Sequence, residues 1–163
     1  MITAIYLPAD DEQPVRKQQI VPGDIAAYRA AVEGDLQLVT LARPGASLYV
    51  NEHGKWNHMP LNQRATVLLW VHNSAFRGRD PICGDALLVG APDRHSQDRN
   101  VPDDYVRLFF HGDRFRVEVM VHGDDGWYRN RRTFDDWFSA YVYAVDLGQR
   151  WSLVADVRVV PAA

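Results

Sequence analysis

Hydrophobic and polar positions alternate most cleanly in the last third of the chain. There Phe115, Val117, Val119 and Val121 interleave with Arg114, Arg116, Glu118 and Met120, the period-two pattern of a strand with one buried face. The segment His122-Gly123-Asp124-Asp125-Gly126 suits a chain reversal, because its glycines accept positive φ and its aspartates favour turns. Residues 127–134 are therefore expected to return as a second strand. Thr133, answered by Asp136 three residues on, has the form of a capping box. Beyond it Trp137, Tyr141, Ala144, Leu147 and Trp151 fall on one helical stripe, widened by Phe138, Val142 and Val145. Asp135 and Asp136 in the first turn and Arg150 near the last suit the helix dipole. Residues 153–160 form a final β-rich run closed by Pro161. Strand, hairpin, strand, helix and strand make a small sheet covered on one face. The other face is left to solvent, to the rest of the chain or to a partner.

The first ninety residues give shorter signals. Residues 2–7 read as a strand, and because both of its faces are apolar it suits a sheet interior. A polar stretch follows. Asp24, after Pro22-Gly23, caps a helix to about Glu33 that Gly34 ends. Residues 36–41 and 47–51 are strands joined by Arg43-Pro44-Gly45-Ala46, and Asn51-Glu52-His53-Gly54 is a further turn. Residues 62–72 favour a helix, although 66–71 reads equally as a buried strand. Residues 73–80 are a loop. Residues 82–89 form a strand with a kink or bulge at Gly84-Asp85. The polar run 93–104 is the expected linker, and 105–111 one more strand. The expected class is α+β, with mixed or antiparallel sheets and a few packed helices. Its expected divisions are an N-terminal domain over 1–92, the linker 93–104 and a C-terminal module over 105–163.

Composition narrows the function. A hydrophobic fraction of 47% in 163 residues is ample for a core. No apolar run approaches the roughly 20 residues that cross a bilayer, and the start lacks the basic region and cleavage site of a signal peptide, so a cytoplasmic protein is expected. A single cysteine, Cys83, excludes an intrachain disulfide and a cysteine-rich zinc site. The net charge of −3 is too slight to mark either a nucleic-acid binder or an acidic DNA mimic. Residues 1–92 carry 8 basic and 9 acidic side chains and residues 93–163 carry 10 and 12, so both halves are near neutral. Of the 18 basic residues only Lys17 and Lys55 are lysines, a GC-rich coding bias in association.

Three segments carry a resemblance: Ser47-Leu48-Tyr49-Val50-Asn51-Glu52-His53-Gly54-Lys55, Pro60-Leu61-Asn62, and Gly84-Asp85-Ala86-Leu87-Leu88-Val89-Gly90. Over about residues 2–90 the chain resembles the domain of unknown function family 3846, small proteins of actinobacterial phages and plasmids. The tail, through Trp127-Tyr128-Arg129-Asn130 and Arg150-Trp151-Ser152-Leu153-Val154, is similar to a module found on other proteins of mobile elements. The resemblance implies a phage, prophage or plasmid origin, and a host-cytoplasm location if phage-encoded. It brings no catalytic residues.

The sharpest candidate site is a basic-aromatic group: Arg129, Arg131 and Arg132 beside Trp127 and Tyr128, with Arg114 and Arg116 on the paired strand. Such a surface grips phosphates and stacks bases. Against it stand Asp113, Glu118, Asp124, Asp125, Asp135 and Asp136, which neutralise it if they pair across the strands. His53, His58, Glu52 and His72 invite a metal reading, but the step from His53 to His58 crosses a turn, and surface histidines are favoured. The paired aspartates sit in turns and caps, and no phosphate loop, nucleophile elbow or His-Glu-x-x-His occurs. The expectation is a non-catalytic accessory protein that binds a host or element-encoded protein, with no cofactor, no metal and no membrane. Nucleic-acid binding through the arginine face is the alternative, and an enzyme of unfamiliar class the second alternative.

Overall fold

The computed structural model describes residues 1–162. Over these described residues the architecture is α+β, with four α-helices and two antiparallel sheets. The chain separates into two compact units. One comprises residues 1–66 and 81–106; the other comprises residues 67–80 and the chain from Arg107 onward.

The first unit holds a five-stranded sheet of order β2-β1-β5-β4-β3, in which β1 is Ile2–Leu7, β2 is Arg16–Ile20, β3 is Leu36–Leu41, β4 is Ala46–Asn51 and β5 is Ala86–Gly90. The central strand β5 is buried at every residue, as its unbroken apolar run requires. Helix α1, Ile25–Val32, is capped by Asp24, which accepts from Ala27 N–H at 3.2 Å. Its Tyr28 and Ala31 pack with Ile2, Ala4, Ile20, Leu87 and Val89. The opposite sheet face carries Ile5, Leu48 and Leu88 in one cross-strand row, all fully buried. Strand β2, Arg-Lys-Gln-Gln-Ile, has no apolar alternation and escapes a hydrophobicity reading. It lies at the sheet edge, where charged side chains guard against further pairing.

Helix α2 spans Gln63–His72, so the stretch 66–71 is helical and not a strand. Asn62 decides it by accepting from Ala65 N–H at 3.0 Å as an N-cap. The loop after α2 contains one 3-10 turn, Ser74–Phe76. The polar run 93–104 differs from the expected linker. It belongs to the first unit, Arg99 bridges to Gly90, and buried Val101 donates its N–H to Thr3 O at 2.9 Å.

Residues 105–111 are also not a strand. Helix α3, Asp103–Val106, passes into a π-helical turn at Arg107–His111. The missed signal is Pro102-Asp103-Asp104, a proline and two first-turn acids that start a helix. Tyr105 is then buried, with its hydroxyl on Pro44 O at 2.8 Å.

The second unit holds a three-stranded sheet of order β7-β6-β8, with β6 Phe115–Val121, β7 Tyr128–Arg129 and β8 Val154–Pro161. Helix α4, Trp137–Arg150, packs on β6 and β8 through Ala140, Tyr141, Ala144 and Val145. Phe115, Val117, Val119 and Val157 are buried. The return strand is far shorter than the expected 127–134. The Asn130 carboxamide accepts from Arg132 N–H at 2.9 Å and turns the chain off the ladder, which it rejoins only at the Phe115–Phe134 bridge. The cap of α4 is Asp136 and not Thr133. Its carboxylate accepts from Ser139 N–H at 2.7 Å and from the Ser139 hydroxyl at 2.8 Å.

Candidate functional site

The face of the small sheet opposite Phe115, Val117 and Val119 is built by simple alternation. Arg114, Arg116, Glu118 and Met120 project from it on the β6 line, because successive side chains of a strand point to opposite sides. Arg114 continues the ladder beyond β6, its carbonyl accepting from Ala162 N–H at 2.9 Å. Register adds Arg129 from β7 and Arg158 from β8, both opposite Glu118. Trp127 joins them, with the Arg158 guanidinium carbon 4.2 Å from the centroid of its ring. Arg158 also pairs with Glu118 at 2.6 Å. Asp156, in register with Met120, is held by Arg77 at 3.4 Å. Arg114 and Arg129 are exposed, and among the described residues neither they nor Arg116 form an ion pair. The Nε of Arg116 is shielded from solvent and has no hydrogen-bond acceptor among the described residues. Four guanidinium groups thus face one carboxylate, Glu118, with Asp156 engaged elsewhere.

The group picked out by sequence divides between two faces. Trp127, Arg129, Arg114 and Arg116 share the open face. Tyr128, opposite Val119, lies on the helix side, half exposed and hydrogen-bonded through its hydroxyl to Asp124. Arg132 stacks over Tyr143 at 4.7 Å and Phe134 at 5.1 Å, which commits it to the same side. Arg131 is exposed in the excursion between β7 and the Phe134 bridge. Arg158 is the residue that sequence reading missed. No local sequence signal marks it, since only the antiparallel register of its strand with β6 sets it against Glu118. Several of the acidic neighbours are engaged in specific contacts. Asp124 serves Tyr128 and Gly126, Asp136 serves the α4 cap, and Glu118 takes Arg158.

A second cluster of polar groups lies in the first unit. Tyr28 and Tyr49 both donate to the same Asp98 oxygen, at 2.8 and 2.9 Å, and their rings meet edge to face at 4.9 Å. The Tyr6 hydroxyl donates to Asp85. Burial first, and then these carboxylates, push the phenols up, Tyr6 to about 12 and Tyr28 and Tyr49 further. Burial raises Tyr105 as well. An open cleft of about 630 Å³ borders Asp98, lined also by Asp93, Arg99 and Asn100. Asn100 ties the loop to the sheet by accepting from Thr3 N–H, while Asp93 accepts from His95 and Gln97 N–H and Arg99 donates to Ala91 O within the loop. The arrangement is a set of ties.

It makes one prediction. A phenol whose pKa is raised on folding favours the native state at all pH below its unfolded value near 10, and that contribution is lost as pH climbs through the folded value. Absorbance titration of the native protein should therefore show Tyr6, Tyr28, Tyr49 and Tyr105 resisting ionisation near pH 10 and titrating only as alkali unfolds the chain. Simple titration of all seven tyrosines near pH 10 in the folded protein contradicts the ties.

The histidines do not converge as a metal set. His53 comes near Glu52 and Asp35 with ligand atoms within 4.8 Å, all three exposed, and Arg29 already holds Asp35 at 2.6 Å. His58 is exposed in a turn, and His72 hydrogen-bonds to the Tyr141 hydroxyl at 2.6 Å. Cys83 is half-buried. The residues that carry the family resemblance hold backbone. Asn51 donates to Val32 O at 3.1 Å and Glu33 O at 3.2 Å, closing the end of α1. Asn62, wholly buried, donates to Leu7 O and Gly84 O. Asp85 accepts from Ala9 N–H at 2.8 Å in addition to Tyr6.

No curated protein and no solved structure matches the chain. A family model does, over residues 2–112, which extends beyond the 2–90 expected and takes in the polar run, α3 and the π-helical turn. With about two thirds of its length matched, the chain belongs to the family described as Domain of unknown function (DUF3846).

Proposed function

We propose that this protein is a non-catalytic binding module that holds nucleic acid on the open face of the β7-β6-β8 sheet. The observation that carries this reading is the exposure of Arg114 and Arg129, free of ion pairs, beside Arg116 and Arg158 on a face with one competing carboxylate. Phosphate contacts of this kind release counterions, so three to four of them give a slope of about −2 to −3 in log affinity against log salt for a single strand. The overall charge of −3 keeps the affinity modest, because the field of the whole chain does not steer an anion toward it. Fluorescence anisotropy with a labelled oligonucleotide at low salt tests this. Arg114→Glu with Arg129→Glu is expected to weaken binding by about tenfold or more. Absence of binding by the wild-type protein at low salt overturns the reading.

A protein partner is the second reading, and Trp56 favours it. This indole is 85% exposed, with half-exposed Leu61 nearby in sequence, and exposed aromatics are enriched where proteins dock. Trp56→Ala then abolishes capture of that partner while the sheet-face variants do not. In either case the module serves an actinobacterial phage or plasmid in the host cytoplasm, its tail being a unit shared with other mobile-element proteins. The arginine-rich, lysine-poor composition supports that origin by association. Deletion of the gene with no change in any host or element process counts against an accessory role.

A further inference from the structure

We infer that the Arg158 guanidinium laid over Trp127 is a stacking platform for an unpaired base, so that this face selects single-stranded over double-stranded nucleic acid. The inference rests on the nucleic-acid reading above and adds its substrate class.

Three observations carry it. The guanidinium carbon of Arg158 lies 4.2 Å from the centroid of the Trp127 ring, which puts the flat cation against one side of the indole. Two contacts to Glu118 fix its orientation, Nε at 2.8 Å and Nη2 at 2.6 Å, and the Glu118 side chain is only 12% exposed. The Arg158 side chain is itself 40% exposed, so part of it still faces solvent after both partners are made. A planar cation held in place from below and from one side has little rotamer freedom left to lose, and guanidinium planes are surfaces on which splayed-out bases stack. Arg114, Arg116 and Arg129 on the same face then take the flanking phosphates. A duplex keeps its base faces inside its own stack and presents only phosphates, so it can engage those three arginines but not the platform.

The test compares a labelled single-stranded oligonucleotide with a blunt duplex of matched length, by anisotropy at one low salt concentration. The wild-type protein, Arg158→Lys, Trp127→Leu and Arg129→Ala are measured, each checked for native circular dichroism. Arg158→Lys keeps the charge and loses the plane, and Trp127→Leu keeps apolar bulk and loses the support. Each is expected to weaken single-strand binding by about fivefold or more, the scale of one stacked base, and to leave duplex binding within about twofold. Arg129→Ala should weaken both. Equal loss on both forms, or no loss on either, overturns the platform while the nucleic-acid reading stands. Wild-type binding to duplex alone does the same. Wild-type binding to neither form removes the platform and the nucleic-acid reading together, and leaves the protein-partner reading at Trp56.

Discussion

Replacing Asn62 with alanine is expected to cost on the order of 3–5 kcal/mol of folding stability, a large part of the 5–15 kcal/mol typical of a domain. The carboxamide is wholly buried and makes three hydrogen bonds: to Leu7 O at 2.9 Å, to Gly84 O at 3.0 Å and from Ala65 N–H at 3.0 Å. Truncation strands two carbonyls and one N–H where water cannot reach them, at about 1–3 kcal/mol each, and removes the cap of α2. Asn62→Asp separates the two roles. Aspartate is as good a cap as asparagine, but it sets a carboxylate against two carbonyl oxygens, so it should be no milder than alanine. Urea unfolding monitored by circular dichroism decides the matter. A loss under about 1 kcal/mol for alanine, or a neutral aspartate, contradicts the role assigned to Asn62.

Gly90→Ala should be nearly as damaging, for a steric reason. A Cβ there would come closer than 3.0 Å to the carbonyl oxygen of Asn100, which is backbone and cannot swing aside. Gly90 ends the central strand and is bonded through its N–H to Arg99 O at 2.8 Å, so relief requires the loop to leave the sheet. Overpacking of this kind costs about 1–3 kcal/mol or more. The displaced loop carries Asp98, the shared acceptor of Tyr28 and Tyr49. The variant should accordingly lose the alkaline resistance of those two phenols, which then titrate closer to 10. Gly45→Ala is the control, since its nearest neighbour would be Ala91 Cβ at 3.9 Å, and it should leave stability within about 0.5 kcal/mol. Equal behaviour of the two variants contradicts the close-approach argument.

How far the chain could be read without coordinates depended on where the decisive partner lay. Strands β1, β3, β4 and β6, helix α1 and the last strand were legible because their periodicity and caps are local. Strand β2 was not, because its edge position, and not its own apolar residues, makes it a strand. Residues 105–111 are ambiguous because a run such as Val-Arg-Leu-Phe-Phe fits either period, and the helix start at Pro102-Asp103-Asp104 lies in a stretch whose polarity suits a linker. The return strand failed because one carboxamide, Asn130, turned the chain after two paired residues. The same split holds for the candidate site. Alternation along β6 correctly put Arg114 and Arg116 together, whereas Tyr128 and Arg132 fell to the other side once pairing with Val119 and stacking on Tyr143 fixed them. Arg158, forty residues from Glu118 in sequence, could be placed only by the strand register. The residues of the family resemblance, Asn51, Asn62, Gly84, Asp85 and Gly90, tie backbone to backbone.

We propose that the face of the small sheet turned away from α4 is the working surface of the molecule. Amide chemical-shift mapping during titration with a single-stranded oligonucleotide at low salt tests it most directly. The largest perturbations are expected at residues 114–120, 127–129 and 156–160, with the five-stranded sheet undisturbed. Perturbations centred on that larger sheet, or none at all at saturating oligonucleotide, contradict it.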